Sequence, residues 1–485
     1  MYLGLDIGTS AVKAVLVDDA QSVVATTETA LAISRPQPGF SEQNPEDWWQ
    51  ATLASIDALK VQKPAELAAV RGIGLSGQMH GAVLLDREGA VLRPAILWND
   101  GRSFLECREL EERFPALHQV AGNLAFPGFT APKLLWVRKH EPEIFERTAK
   151  VLLPKAYVGY RLTGEMVDEM SDASGTLWLD VGARDWSDEA LAATHLTRAH
   201  MPRLVEGSAA AGRITADLAA RWGMQTPPVL AGGAGDNAAG AIGLGAINAG
   251  DAFVSLGTSG VLWATTDRYA PNPESSVHAF CHAIPATWHQ MGVILSAASA
   301  LGWWSGVAKT SPADLLAPLG DAPAAPSRAT FLPYLSGERT PHNDTAIRAS
   351  FVGLDHDTAR ENLTQAVLEG VAFAFKDCLD ALAAAGTHLS QADVIGGGSR
   401  SRFWTAVLAS VLGLPINRIE DGERGGAFGA ARLARMAATG EAPADICLPP
   451  RRIETIAPDP ALQHAYAERH AFYRALYPAM KGVTS

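Results

Sequence analysis

Asp6 closes an apolar run, Tyr2 to Ile7, and is followed at once by the turn Gly8-Thr9-Ser10 and then by Lys13. A tight turn of this kind presents successive backbone N–H groups and hydroxyls, which together cradle phosphate oxygens as an anion nest. A carboxylate at the end of an apolar strand is costly by itself, and Mg²⁺ with its waters is a natural partner beside nucleotide phosphates. Asp6 is therefore the candidate metal ligand, and Thr9, Ser10 and Lys13 are candidate phosphate ligands; on a half-exposed strand a lysine is also commonly just solvated. Gly-Thr-Ser recurs at Gly257, Thr258 and Ser259. Either turn alone reads as an ordinary hydroxyl-bearing β-turn, but two such nests facing each other could grip one triphosphate.

A second carboxylate, Asp236, stands in Gly235-Asp236-Asn237 among small residues that leave room for a ligand. Moving a phosphoryl group onto an alcohol needs a carboxylate within hydrogen-bond reach of the hydroxyl and little other covalent chemistry. Asp236 is the candidate general base. Polar side chains beside an apolar wall suit a polyol, and two segments offer them: Gln78-Met79-His80-Gly81, and Trp98-Asn99-Asp100-Gly101-Arg102. From these, Met79, His80, Trp98, Asp100 and Arg102 are expected to touch substrate. In Ser336-Gly337-Glu338-Arg339-Thr340-Pro341-His342, Glu338 and Arg339 could instead bridge two halves of the molecule. His278-x-x-Cys281-His282 lacks a fourth ligand at any usual metal spacing. No G-x-x-x-x-G-K-[ST] occurs, so a P-loop is excluded.

These side chains must be held by elements that the sequence also marks. Tyr2 to Val17 reads as strand, turn, strand, and Ala252 to Thr265 repeats that order, its turn 249 residues further on. The chain thus reads as two similar halves meeting near residue 247. Asn44-Pro45-Glu46-Asp47 is a helix start, with Asn at the N-cap, Pro first in the helix and acids at its positive end. Apolar runs at Val70 to Leu75 and Val229 to Ala231 alternate with helix-length segments, which makes the class α/β. The Gly/Ala-rich run from Gly232 to Gly250 would let helices approach closely and could serve as a hinge. Leu363 to Leu382 has helical spacing with Gly386 as its C-cap. Asp393-Val394-Ile395, Gly396 to Arg400 and Phe403 to Leu412 give strand, glycine turn and helix, a place for a nucleotide. A last amphipathic helix, Ala461 to Met480, is expected to pack back on the body and carry no chemistry.

The composition is that of an ordinary soluble globular protein. Its 485 residues with 47% hydrophobic and 19% charged can bury large cores. A net charge of −12 repels a nucleic-acid backbone or an anionic membrane face. Four scattered cysteines suggest neither disulfides nor zinc and fit a reducing cytoplasm, and neither a signal peptide nor a membrane span is read.

Asp6-Ile7-Gly8-Thr9-Ser10, Gln78-Met79-His80-Gly81, Trp98-Asn99-Asp100-x-Arg102, Gly235-Asp236-Asn237, Gly257-Thr258-Ser259-Gly260, Ser336 to Pro341 and Gly396-Gly397-Gly398 together resemble the FGGY carbohydrate kinases. Gly128-Phe129-Thr130-Ala131-Pro132-Lys133, Leu153-Pro154-Lys155 and Gly426-Ala427-Phe428-Gly429-Ala430-Ala431 extend the resemblance to about residue 440. It implies two ribonuclease H-like domains of the actin, sugar-kinase and heat-shock ATPase type, closing over a cleft for MgATP and sugar. The expected division is 1–247 for the sugar pocket, first phosphate hairpin and base, 248–445 for the second hairpin and adenosine site, and 446–485 for a helical tail. The resemblance also implies that Asp236 deprotonates the 5-hydroxyl of D-xylulose while Asp6 organises Mg²⁺. Met79, His80 and Asn237 would contact sugar, Thr9 and Thr258 would lie in the phosphate hairpins, and Gly397, Gly398, Ser401 and Gly426 would border the nucleotide. Two residues depart from the family pattern: Ala234, which could shift the hinge, and Phe428, which could reshape the adenine pocket. A kinase for ribulose, another ketose or a polyol is the alternative within the class. An actin-like or chaperone-like ATPase, or a noncatalytic sugar sensor, is the alternative outside it. The expected partners are a small sugar and ATP, with neither nucleic acid nor membrane; a homodimer stays open.

Overall fold

The computed structural model describes residues 1–420 and 425–483, so the last two residues of the tail expected over 446–485 lie outside the described residues. Two seven-stranded sheets carry the molecule. In the first, Tyr2–Ile7 pairs antiparallel with Ala11–Val17 and parallel with Gly72–Gly77. In the second, Ala252–Leu256 pairs antiparallel with Gly260–Thr266 and parallel with Ala392–Ile395. The repeat seen in the sequence is thus a repeat of topology: each half opens with a hairpin whose first strand becomes central. Central strands are buried on both faces, which is why Tyr2–Ile7 and Gly72–Gly77 read as nearly unbroken apolar or small runs.

The expected elements form where local chemistry placed them. Asn44 caps the helix Pro45–Gln62, its side chain accepting from the Glu46 N–H at 3.1 Å. The helix Arg360–Ala384 ends before Gly386, which takes a left-handed φ of 81°. The tail helix Pro460–Met480 packs back on the body through buried Leu462, Tyr466 and Tyr473, and the Tyr466 hydroxyl donates to Glu369 at 2.9 Å.

The glycine-rich run from Gly232 to Gly250, expected as a hinge, is mostly regular structure. Ala234–Gly235 is a short strand paired with Ser76–Gly77, and Asp236–Leu244 is a largely buried helix. Ala234 is a ladder residue, paired with Ser76. What the small residues provide is close approach. The helix Gly426–Thr439, from the end of the chain, lies flat on the first sheet. A Cβ on Gly4 would stand 1.8 Å from the Ala427 carbonyl oxygen, and one on Gly74 would stand 1.9 Å from that of Ala430.

The two lobes meet along a seam of specific bonds. His278 Nδ1 and Asn123 Oδ1 are 2.7 Å apart, the Cys281 N–H donates to Ser174 Oγ at 3.1 Å, and Arg184 Nη1 donates to the Thr287 carbonyl at 2.8 Å.

Candidate active site

Asp236 is the first residue of the helix Asp236–Leu244, where the helix dipole and free N–H groups favour a negative charge. Its Oδ1 accepts from the Asn237 N–H at 2.7 Å and from Asn237 Nδ2 at 2.9 Å, so Asn237 orients the carboxylate. The carboxylate is open to the cleft, yet crowded by protein on its other sides. That desolvation, reinforced by the charge of Asp6, pushes its pKa up to about 6.

Asp6 lies opposite Lys13 in the first hairpin and accepts from Ser76 Oγ at 2.7 Å. Burial raises its pKa, while Ser76 and Lys13 pull in the other direction. A Cβ on Gly426 would come within 2.4 Å of Ser76 Oγ and 3.2 Å of Asp6 Oδ1, so the bare backbone at Gly426 leaves the space in front of Asp6 clear. A carboxylate with clear space in front of it, and with a second acid, Asp236, that senses its charge, is a donor suited to a hard divalent cation. Asp6, Lys13, Gly426 and Phe428 share the lining of a cavity of about 890 Å³ with Ser399 and Arg400. Gly397, Gly398 and Ser401 line a neighbouring cavity of about 560 Å³ with Leu301, Ala313 and Trp404. Ser401 Oγ is also the N-cap of Arg402–Leu412, accepting from the Trp404 N–H at 3.2 Å. Phe428 is not among the residues lining the Gly397–Gly398 cavity. Its ring packs with Tyr2, Val15 and Val17 and lines the larger cavity beside Gly425 and Gly426.

Of the two phosphate turns, the second presents exposed Thr258 and Ser259 side chains, while the carbonyls of Gly257 and Thr258 anchor it to Ala298 and Ala297 at 2.8 and 3.0 Å. The first turn departs from expectation. The Thr9 hydroxyl donates to Gln78 Oε1 at 3.0 Å and accepts from the Trp98 indole N–H at 3.0 Å, so it faces the substrate side. The backbone N–H groups of Thr9 and Ser10 have no acceptor among the described residues, and these amides and the exposed Ser10 hydroxyl are what the turn offers an anion.

Met79 packs beneath the base loop: a Cβ on Gly235 would meet Met79 Cγ at 2.9 Å. His80 has a φ of 71°, and its Nδ1 faces the Gly175 carbonyl at 2.7 Å. Burial drives its pKa down to about 3, so the ring is neutral with its proton on Nδ1, and Nε2 is left as an acceptor for a hydroxyl. Trp98 is 48% exposed and forms a wall. Asp100 and Arg102 correct the sequence reading. Asp100 accepts from the Ser41 N–H at 2.6 Å and from Arg102 Nε and Nη2 at 2.9 and 2.7 Å. Arg102 also pairs with Glu42 at 2.7 Å and lies 3.7 Å over the Phe40 ring. Their hydrogen-bonding capacity is spent bracing the loop that carries Trp98, because two buried opposite charges satisfy each other before a neutral polyol can.

Arg339 bridges the halves as expected, 4.5 Å over the Phe126 ring. Glu338 does not: it turns inward to the Leu295 and Arg339 N–H groups at 2.9 and 2.8 Å, and burial pushes its pKa up to about 8. His278 and His282 are engaged with Asn123 and the Ala246 carbonyl.

A cluster that sequence reading missed underlies the base. Lys155 Nζ lies 2.8 Å from Asp168 and 3.3 Å from the Gly232 carbonyl, while Ser171 Oγ accepts from the Gly235 N–H at 3.0 Å and donates to Glu169 at 2.8 Å. Burial alone would lower the Lys155 pKa, yet Asp168, Asp172 and Glu169 together raise it. The loop leading to Asp236 is thus held from below at both ends. Three acids within five residues, Asp168, Glu169 and Asp172, were the available sign.

Residues 1–243 match the N-terminal domain of the FGGY family of carbohydrate kinases and residues 252–438 match its C-terminal domain. Xylulose kinase of Escherichia coli (strain K12) is 49% identical over 480 residues, covering 98% of each chain. That of Klebsiella pneumoniae is 47% identical over the full length of both. Among solved structures, a xyloylose kinase from Brucella ovis superposes with a TM-score of 0.97 at 56% identity, covering 99% of both chains. Xylulose kinase from Rhodospirillum rubrum gives 0.92 at 30% identity, covering 100% of this chain and 99% of that one. With both family domains matched in order and xylulose kinases 49% and 47% identical over nearly the whole chain, the chain belongs to the FGGY family of carbohydrate kinases and is an ATP-dependent sugar kinase.

Proposed function

We propose that the chain transfers the γ-phosphoryl group of ATP to the 5-hydroxyl of D-xylulose, giving ADP and D-xylulose 5-phosphate. The observation that carries this reading is Asp236, a carboxylate open to the cleft, its pKa pushed up to about 6 by burial and the charge of Asp6, and oriented by Asn237. The sugar lies with its carbon chain against Trp98 and Met79 and a hydroxyl on His80 Nε2. Asp236 accepts the O5 proton as O5 attacks the γ-phosphorus in line and the bond to the ADP oxygen breaks. Such transfers depend chiefly on positioning and charge stabilisation. The amides of Thr9 and Ser10, the second turn at Gly257 and Thr258, and Lys13 hold the phosphates, and Gly397, Gly398 and Ser401 border the adenosine. Asp6 would hold Mg²⁺, which neutralises phosphate charge when bound. A division near residue 247 assigns base and sugar pocket to one unit and adenosine to the next. The four free cysteines support a reducing, cytoplasmic setting, and among the described residues no helix is long and apolar enough to cross a membrane.

The test is ADP release across a panel of ketoses and polyols. D-xylulose should rank first by kcat/KM. If another sugar ranks well above it, the substrate assignment fails; if no sugar stimulates ADP release, the kinase reading fails as a whole.

A further inference from the structure

Among the side chains of the site, the Thr9 hydroxyl is placed unlike a simple phosphate ligand. It closes a ring of hydrogen bonds: Thr9 Oγ1 to Gln78 Oε1 at 3.0 Å, Gln78 Nε2 to Gln43 Oε1 at 3.0 Å, and Gln43 Nε2 back to the Thr9 carbonyl at 2.7 Å. Gln78 Nε2 also reaches the Gly8 carbonyl at 3.3 Å, and the buried Trp48 indole donates to Gln43 at 3.0 Å. Gln43, Gln78 and Trp48 are buried. The exposed member attached to this ring is Trp98, whose indole N–H ends on the same Thr9 hydroxyl at 3.0 Å. One oxygen therefore joins the wall of the sugar pocket to the turn whose amides face the phosphates.

We propose that Thr9 is a positioning residue that couples sugar binding to nucleotide binding through the Trp98–Thr9–Gln78 bonds. The inference rests on the kinase reading above. A sugar stacked on Trp98 immobilises the indole, which fixes the threonine rotamer. The rotamer in turn fixes the direction of the Thr9 and Ser10 N–H groups through the closed glutamine ring. Binding linkage is reciprocal, so nucleotide must tighten sugar by the same factor.

The experiment measures the dissociation constant of a nonhydrolysable ATP analogue by calorimetry, with and without saturating D-xylulose. Wild type is compared with Thr9→Val, which keeps the shape and loses both bonds, with Thr9→Ser, which retains a hydroxyl, and with Trp98→Phe, which keeps a ring and loses the donor. Wild type and Thr9→Ser should show nucleotide tightened about fivefold or more by sugar, the lower end of ordinary coupling. Thr9→Val and Trp98→Phe should fall to less than about twofold, with their far-UV circular dichroism unchanged. Wild-type coupling retained in Thr9→Val overturns the proposal, as does absence of coupling in wild type. Should Thr9→Val fail to fold, Trp98→Phe decides alone, and retention of coupling there overturns it equally. Sugar-stimulated ADP release by wild type, measured alongside, separates the two claims: its loss defeats the kinase reading, whereas its presence with unaltered coupling in the variants defeats this inference only.

Discussion

As the proposed general base, Asp236 must be ionised to take a proton, and with its pKa pushed up to about 6 the kcat/KM profile should climb on an acid limb centred near pH 6. Because burial and Asp6 together cause the shift, Asp6→Asn should move that limb to lower pH while also lowering turnover. Asp236→Asn should cut kcat by about 10²–10⁴-fold with sugar and nucleotide binding retained, read by calorimetry alongside steady-state rates. The same shift has a stability consequence. A carboxyl with a raised folded pKa holds its proton longer than the unfolded chain does, so folding loses stability as pH rises from the ordinary carboxylate range through about 6. Asp236→Asn should therefore melt at or above wild type at pH 8. Residue types alone singled out Asp6, Asp236 and His80 as candidates, the two acids because a carboxylate after an apolar strand or amid glycines is costly without a use. They misplaced Asp100, Arg102 and the Thr9 hydroxyl, whose partners Glu42, Phe40 and Gln78 lie elsewhere in the sequence.

Two strands and one helix illustrate what an element contributes. Gly4 and Gly74 sit where the helix Gly426–Thr439 touches the sheet, and its carbonyl oxygens would lie within 2 Å of an added Cβ. Gly74→Ala should force that helix outward and destabilise the protein by about 1–3 kcal/mol or more, measured by urea unfolding. Gly426→Ala acts on the site instead. Its methyl group would displace Ser76 Oγ from Asp6, so kcat should fall at least tenfold while the unfolding midpoint moves less than for Gly74→Ala. The glycines were visible in the sequence as a class of position, but hinge and close approach have the same composition. Only the packing distinguishes them, and here close approach is the observed use.

At the scale of the molecule, the lobes are tied along the seam of Asn123 with His278, Ser174 with Cys281 and Arg184 with the Thr287 carbonyl. The cavity holding Asp6, Lys13 and Arg400 lies between strands of the first sheet and the glycine turn of the second. A seam of this kind is a suitable pivot for closing such a cavity, and closure keeps water from the γ-phosphate. Small-angle scattering should show the radius of gyration falling when D-xylulose and a nonhydrolysable nucleotide are both saturating. An unchanged radius would remove closure from the mechanism.

The sequence by itself determined the α/β class, the repeated hairpins and the helix starts, and it marked the two candidate carboxylates. Each of these is written in contiguous residues and follows from local rules of burial, turn geometry and capping. Tertiary structure alone decided that Asp6 and Asp236, 230 residues apart, come close enough for the charge of one to raise the pKa of the other. It also decided that Asp100 and Arg102 satisfy each other, and that a helix from the end of the chain closes the sheet begun by its first residues. Distances between remote side chains are set by how whole elements pack, and packing depends on the shapes of all the partners at once rather than on any one stretch of chain.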